Sequence, residues 1–187
     1  MYHRQPLCRQ QTSSWFSPPP RSTPDVYEPD FHIVLHEPEI AYNTGAVGRT
    51  CLAVGAKLWL VRPLGFQIDD RHLRRAGLDY WQHLVWEVVD DWDSLVERLP
   101  AGPPWLLSKT ATRAYTEVEY HRGDVLVFGS ETRGLPRRLM SAHPDRCLRI
   151  PIRPETRSLN LSVSAGVVAF EARRQLVQQG EISPPVP

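Results

Sequence analysis

Two segments in the C-terminal half carry the residue types that hold a ligand at the mouth of a sheet. They are LVFGSETRGLP, Leu126–Pro136, and RIPIRPETRSLNLSVSAG, Arg149–Gly166. Each runs from an apolar, strand-like stretch into a turn of small and polar residues, which is how an α/β protein places a binding loop at a strand's carboxyl end. Two such loops would make one pocket. Gly129 would end its strand where a side chain would block a ligand, and Leu107, Ile150 and Leu159 could form an apolar slot. Glu131 offers a carboxylate to orient a bound group or to hold Arg133. Ser158 and Asn160 are good helix-start residues that could also serve a site. Neither loop carries G-x-x-x-x-G-K-[ST] or G-x-G-x-x-G, and Gly129-Ser130-Glu131 is not a nucleophile elbow, because Phe128 and Thr132 stand where glycines would be needed.

A third segment, NTGAVGR, Asn43–Arg49, supplies a cation. Asn43 is a good N-cap for a short helix over Thr44–Val54, with Val47, Cys51 and Val54 as its apolar stripe. Arg49 lies off that stripe and could face a substrate. Arg71, His72, Arg74 and Arg75 form the densest basic cluster, with Arg137, Arg138, Arg153 and Arg157 as further phosphate-clamping candidates. Tyr80 and Trp81 could stack an unpaired base, although core packing is their commoner use. His32 and His36 lack a third ligand at sensible spacing, so no metal is expected.

These strings together resemble the SPOUT class of methyltransferases. NTGAVGR is similar to its first motif, FGSETRGLP to its second and RIPIRPETRSLNLS to its third, over about residues 31 to 178. HEPEIAYNTG and DDRHLRRAGLDY further resemble the TrmL-type tRNA wobble-nucleotide ribose 2′-O-methyltransferases. The resemblance implies an α/β fold, a mostly parallel sheet flanked by helices, with a C-terminal trefoil knot. It also implies S-adenosyl-L-methionine as methyl donor, a homodimer packed through its first and last helices, and a tRNA anticodon stem-loop as partner. The target would be the ribose of position 34, cytidine or modified uridine, in leucine tRNAs. The alternatives are another tRNA or rRNA ribose, or a non-catalytic RNA-binding protein.

Carried over residue by residue, Leu107, Gly129, Ile150 and Ser158 would contact the donor, and Arg49, Asn43, Glu131 and Asn160 would serve catalysis. Arg71, Arg74, Arg75 and Arg157 would bind RNA. Arg49 would stabilise the developing alkoxide or clamp the neighbouring phosphate, since a guanidinium with a pKa above about 12 is a poor proton acceptor. Phe170 and Val163 depart from the subfamily, where tyrosine and asparagine are usual.

The elements that must position these residues follow from apolar patterning. Strands are predicted at Phe31–His36, Lys57–Arg62, Leu84–Val89, Pro104–Ser108, Asp124–Gly129 and Cys147–Ile152. Helices are predicted at Thr44–Val54, Asp69–Ala76, Trp92–Leu99, Pro136–Ala142 and Leu159–Gln178, the last with an apolar stripe at Leu161, Ala165, Val168, Ala169, Ala172 and Leu176. The alternation argues a mostly parallel α/β sheet. With 187 residues and 41% apolar content, one domain over 30–179 is expected, preceded by a Pro- and Ser-rich disordered extension over 1–29 and followed by a tail over 180–187. The formal net charge of +1 leaves any nucleic-acid site to a local patch. Three widely spaced cysteines without C-x-x-C suit a reducing cytoplasm, and no membrane association is expected.

Overall fold

The apolar runs pair side by side in the computed structural model, which describes residues 27–67, 79–100 and 102–184. Seven strands form one sheet: β1 (Phe31–His36), β2 (Ala56–Val61), β3 (Trp86–Val89), β4 (Trp105–Leu107), β5 (Arg113–Ala114), β6 (Val125–Phe128) and β7 (Cys147–Arg149). Their order is β3-β2-β1-β6-β4-β7-β5, and every pairing between them is parallel. The helices are α1 (Ala41–Val54), α2 (Trp92–Val96), α3 (Arg137–Ala142) and α4 (Leu161–Gln179), with 3-10 turns at Asp79–His83 and Pro144–Arg146.

A parallel sheet covered on both faces needs strands that are apolar on both sides, which is why they read as continuous runs. Ile33, Leu35, Leu58, Leu60, Leu126 and Phe128 pack toward α1 and α4. Val34, Trp59, Val61, Val125 and Val127 face the opposite side, with Leu95 and Leu139 from α2 and α3. The six residues of the expected α4 stripe are all buried, as are Val47, Cys51 and Val54 of α1. Trp81 belongs to this core rather than to a base-stacking surface. It is buried, its ring lies 5.2 Å from that of Trp86, and a Cβ added at Gly48 would meet it at 2.4 Å. Gly48 is therefore small because an indole rests on α1.

The six expected strands are present, β1 with its expected bounds and the others with shifted ends. The last stops at Arg149 rather than Ile152, because the following residues leave the sheet to line a cleft. β5 has two residues and no period to read, so patterning misses it. The helix expected at Asp69–Ala76 lies outside the described residues. Helix α1 begins at Ala41, three residues before the expected start, and Asn43 is inside its first turn instead of capping it. Among the described residues, no helix is long and apolar enough to cross a membrane.

His32 and His36 serve packing. The Trp59 indole N–H donates to His32 Nδ1 at 3.1 Å, and the buried His36 ring lies 6.0 Å from that of Trp92. Among the described residues, no group of three His, Cys, Asp or Glu is placed to hold a metal ion. Burial, aided by the charge of Lys57, lowers the His32 pKa from 6.5 to about 4. The folded state thus binds fewer protons than the unfolded chain between those values, so stability is lost as pH falls through this window. His32 is expected to account for a loss of about 1.5 kcal/mol between pH 6.5 and 5. Denaturant unfolding across that range should show His32→Gln, which keeps an acceptor for Trp59 but cannot titrate, losing correspondingly less stability than the native chain; parallel profiles would contradict this.

Candidate active site

The strand order reverses its winding beside β6: the chain moves outward from β1 through β2 to β3, then crosses to β4 on the other side. The carboxyl ends of β4, β6 and β7 open there onto a cleft of about 600 Å³. Such a crevice at a topological switch is where open α/β sheets bind ligands. The walls come from the segments following β4, β6 and β7, the approach to α4, and the first turn of α1.

The loop after β6 folds back on itself. Ser130 and Gly134 form an antiparallel bridge, the Gly134 N–H donates to the Ser130 carbonyl at 2.9 Å, and Gly134 adopts φ 68°. A Cβ at Gly129 would lie 2.1 Å from the Gly134 carbonyl carbon. The loop's own backbone therefore requires a glycine at this position, a demand that the sequence reading of Gly129 did not include.

Glu131 is turned toward α1. Its carboxylate accepts the backbone N–H of Glu39 at 2.8 Å, that of Ile40 at 3.3 Å, and the Asn43 side-chain amide at 2.9 Å. Ile40, the N-cap residue, offers no side-chain cap, and the first turn contains no acidic residue. Glu131 brings a carboxylate to this end from outside, bonding the N–H of Ile40 and of Glu39 before it and placing negative charge at the positive end of a 14-residue helix. The alternative that Glu131 holds Arg133 does not stand. Arg133 pairs instead with Glu37 at 2.8 Å and reaches Glu39 at 4.0 Å, while the Thr132 hydroxyl donates to Glu39 at 2.6 Å. These bonds brace the turn after β1, where Glu37 takes φ 53°, a left-handed conformation that costs a non-glycine residue about 1 kcal/mol.

The hydrogen bonds continue across the cleft. Asn160 Nδ2 donates to Asn43 Oδ1 at 2.9 Å, and Asn160 Oδ1 accepts the Ser162 backbone N–H at 2.8 Å and its hydroxyl at 2.7 Å. Asn160 is thus the N-cap of α4 and a link in the site together. One chain of contacts, Glu131 to Asn43 to Asn160, ties the three sequence motifs into a single wall.

Leu107, Gly129, Ile150 and Ser158 line this cleft, as do Asn43, Glu131, Asn160 and the slot residue Leu159. Arg49 does not. Six residues beyond Asn43, it is about 9 Å along the helix and two-thirds of a turn around it. Its guanidinium lies 4.8 Å from the centre of the Tyr80 ring, whose hydroxyl donates to the Gly45 carbonyl at 2.6 Å. Tyr80 therefore supports Arg49. Arg157 is exposed outside the cleft lining, and Arg71, His72, Arg74 and Arg75 lie outside the described residues. Sequence reasoning missed Lys109, which lines the cleft; its position directly after the β4 run was the available signal.

A parallel sheet with reversed winding and a cleft built from three strand-end loops is the architecture of the SPOUT methyltransferases. The chain belongs to the SpoU rRNA methylase family, whose sequence model matches residues 30–170. It is 48% identical over 149 residues, 78% of this chain and 96% of the relative, to the tRNA (cytidine(34)-2'-O)-methyltransferase of Saccharophagus degradans. A solved structure from work on the 2-OH methylation of C/U34 on tRNA is 42% identical, with a TM-score of 0.74 over 79% of this chain and 97% of the other. The AdoMet-bound rRNA methyltransferase of Sinorhizobium meliloti is 25% identical, with a TM-score of 0.68 over 80% of this chain and 61% of that one. The sequence resemblance to SPOUT enzymes is borne out.

Gly129→Ala is expected to cost at least about 2 kcal/mol in denaturant unfolding, because the backbone that its Cβ meets cannot move without opening the Ser130–Gly134 bridge. A loss below about 0.5 kcal/mol would show that the loop relaxes freely.

Proposed function

We propose that this chain is an S-adenosylmethionine-dependent methyltransferase that modifies the ribose 2′-oxygen of position 34 in tRNA anticodon loops, with cytidine or modified uridine as the base and leucine tRNAs as substrates. The observation that carries this reading is the Glu131–Asn43–Asn160 chain at the edge of the cleft, which unites all three motifs in one wall. The identity to relatives named for this reaction supports it.

The cleft suits the donor. Leu107, Ile150 and Leu159 offer apolar surface for adenine, with strand-end backbone beside them. When bound, the donor supplies a sulfonium-activated methyl group, and its transfer discharges the sulfonium. A free carboxylate nearby would stabilise that cation in the ground state and slow transfer. The bonds from two backbone N–H groups and Asn43, at the positive end of α1, lessen that attraction without removing the charge of Glu131. Its role in this reading is to fix the wall against which the donor lies.

Arg49 is assigned to the 2′-oxygen. It holds the alkoxide that develops as the proton leaves, or clamps the adjacent phosphate so that oxygen, methyl carbon and sulfur align. Since Arg49 does not line the cleft of its own chain, the reading includes a homodimer in which one copy's Arg49 serves its partner's cleft. Tyr42 at 80% exposure, Val163 at 50% and Phe170 at 54% give α1 and α4 the apolar surface for that contact, so the departures at Val163 and Phe170 leave apolar packing available. A C-terminal knot, RNA contacts by Arg71, Arg74, Arg75 and Arg157, and domain limits of 30–179 belong to the same proposal.

The test is methyl transfer from labelled S-adenosylmethionine to undermodified total tRNA, with the product mapped by nuclease digestion and mass spectrometry. A 2′-O-methyl mark at position 34 is expected. A mark elsewhere would overturn the substrate, and no transfer would favour a binding protein. Arg49→Lys is expected to lower turnover at least about 100-fold with unchanged melting, because lysine lacks the planar fork; near-normal turnover would remove Arg49 from the site.

A further inference from the structure

The charges around the cleft are unequally satisfied. Glu131 is committed to three donors, and Arg133 is paired with Glu37 and Glu39. Lys109 and Arg137 also line the cleft, are exposed, and among the described residues make no ion pair or side-chain hydrogen bond. Thr110, next to Lys109 in the chain, and Arg137 both line a neighbouring groove as well as the cleft. The unmet charges of the cleft are thus both positive.

A donor with an adenosine at one end and an amino-acid group at the other presents one anion, its α-carboxylate. Adenine has the apolar slot of Leu107, Ile150 and Leu159, whereas the carboxylate needs cations that are not already occupied. Resting on the methyl-donor reading above, we propose that Lys109 and Arg137 are the specificity residues that hold the donor's α-carboxylate, and so distinguish the whole donor from adenosine thioethers lacking the amino-acid group. Their lack of partners among the described residues makes them available without breaking a bond seen there. It also means that their removal leaves the fold intact.

Calorimetric titration of the full chain with S-adenosylhomocysteine and with 5′-methylthioadenosine, which lacks the carboxylate and ammonium, tests this. Lys109→Met and Arg137→Met are each expected to weaken S-adenosylhomocysteine binding about tenfold, the scale of one charge-assisted hydrogen bond. Both should leave 5′-methylthioadenosine affinity within about twofold, which also reports that the variants are folded. Equal losses for both ligands would overturn the proposal by showing that these residues shape the adenosine slot. Unchanged affinity for both would likewise overturn it, and weakened tRNA binding with a shallower salt dependence would then give the cations to RNA phosphates. A native chain that bound neither ligand would instead refute the methyl-donor reading itself.

Discussion

The Glu131 carboxylate stands at the amino end of α1, and the geometry of the site depends on that contact. A helix start leaves N–H groups without partners, and here no residue of the local sequence supplies an acceptor. The acceptor comes from about ninety residues away, from a loop that must turn back on itself to deliver it. Gly129 permits that turn, Gly134 closes it, and Asn43 passes the constraint on to Asn160 and so to α4. The cleft wall and the helix cap are one structure.

This arrangement has a consequence for chemistry. A carboxylate beside a sulfonium donor is a hazard if it is free, and a useful fixed point if its lone pairs are taken. By bonding Glu131 to α1, the fold fixes the carboxylate in the wall and partly offsets its field at the cleft. The same helix carries Arg49 on another face, braced by Tyr80, so the element that shapes one cleft also presents the cation that the proposed dimer delivers to another.

What patterning could read, and what it could not, follows from the range of the interactions. The strands and the buried stripes of α1 and α4 were legible because burial on a periodic face leaves a local signature. Residue type alone offered Leu107, Gly129 and Ile150 as a ligand site, the resemblance added Ser158 and the donor, and the cleft gathers all four residues. The N-cap expected at Asn43 was wrong because capping propensity is judged from neighbours, whereas α1 begins at Ala41 and its amino end is met by Glu131 from a distant loop. Gly129 lines the cleft, and its second constraint, the folding back of the loop that brings Gly134 against it, has no sequence period. β5 was too short to read, and Lys109 was passed over because an exposed lysine has no pattern until the sheet places it in a cleft.

The central claim is that Glu131 and Asn43 act as one unit joining the β6 loop to α1. A double-mutant cycle of Glu131→Ala and Asn43→Ala, read by denaturant unfolding, tests it most directly. Coupling of at least about 1 kcal/mol is expected for directly bonded side chains in a shared network. Losses that add to within about 0.3 kcal/mol would show the two residues acting independently, and would contradict the account.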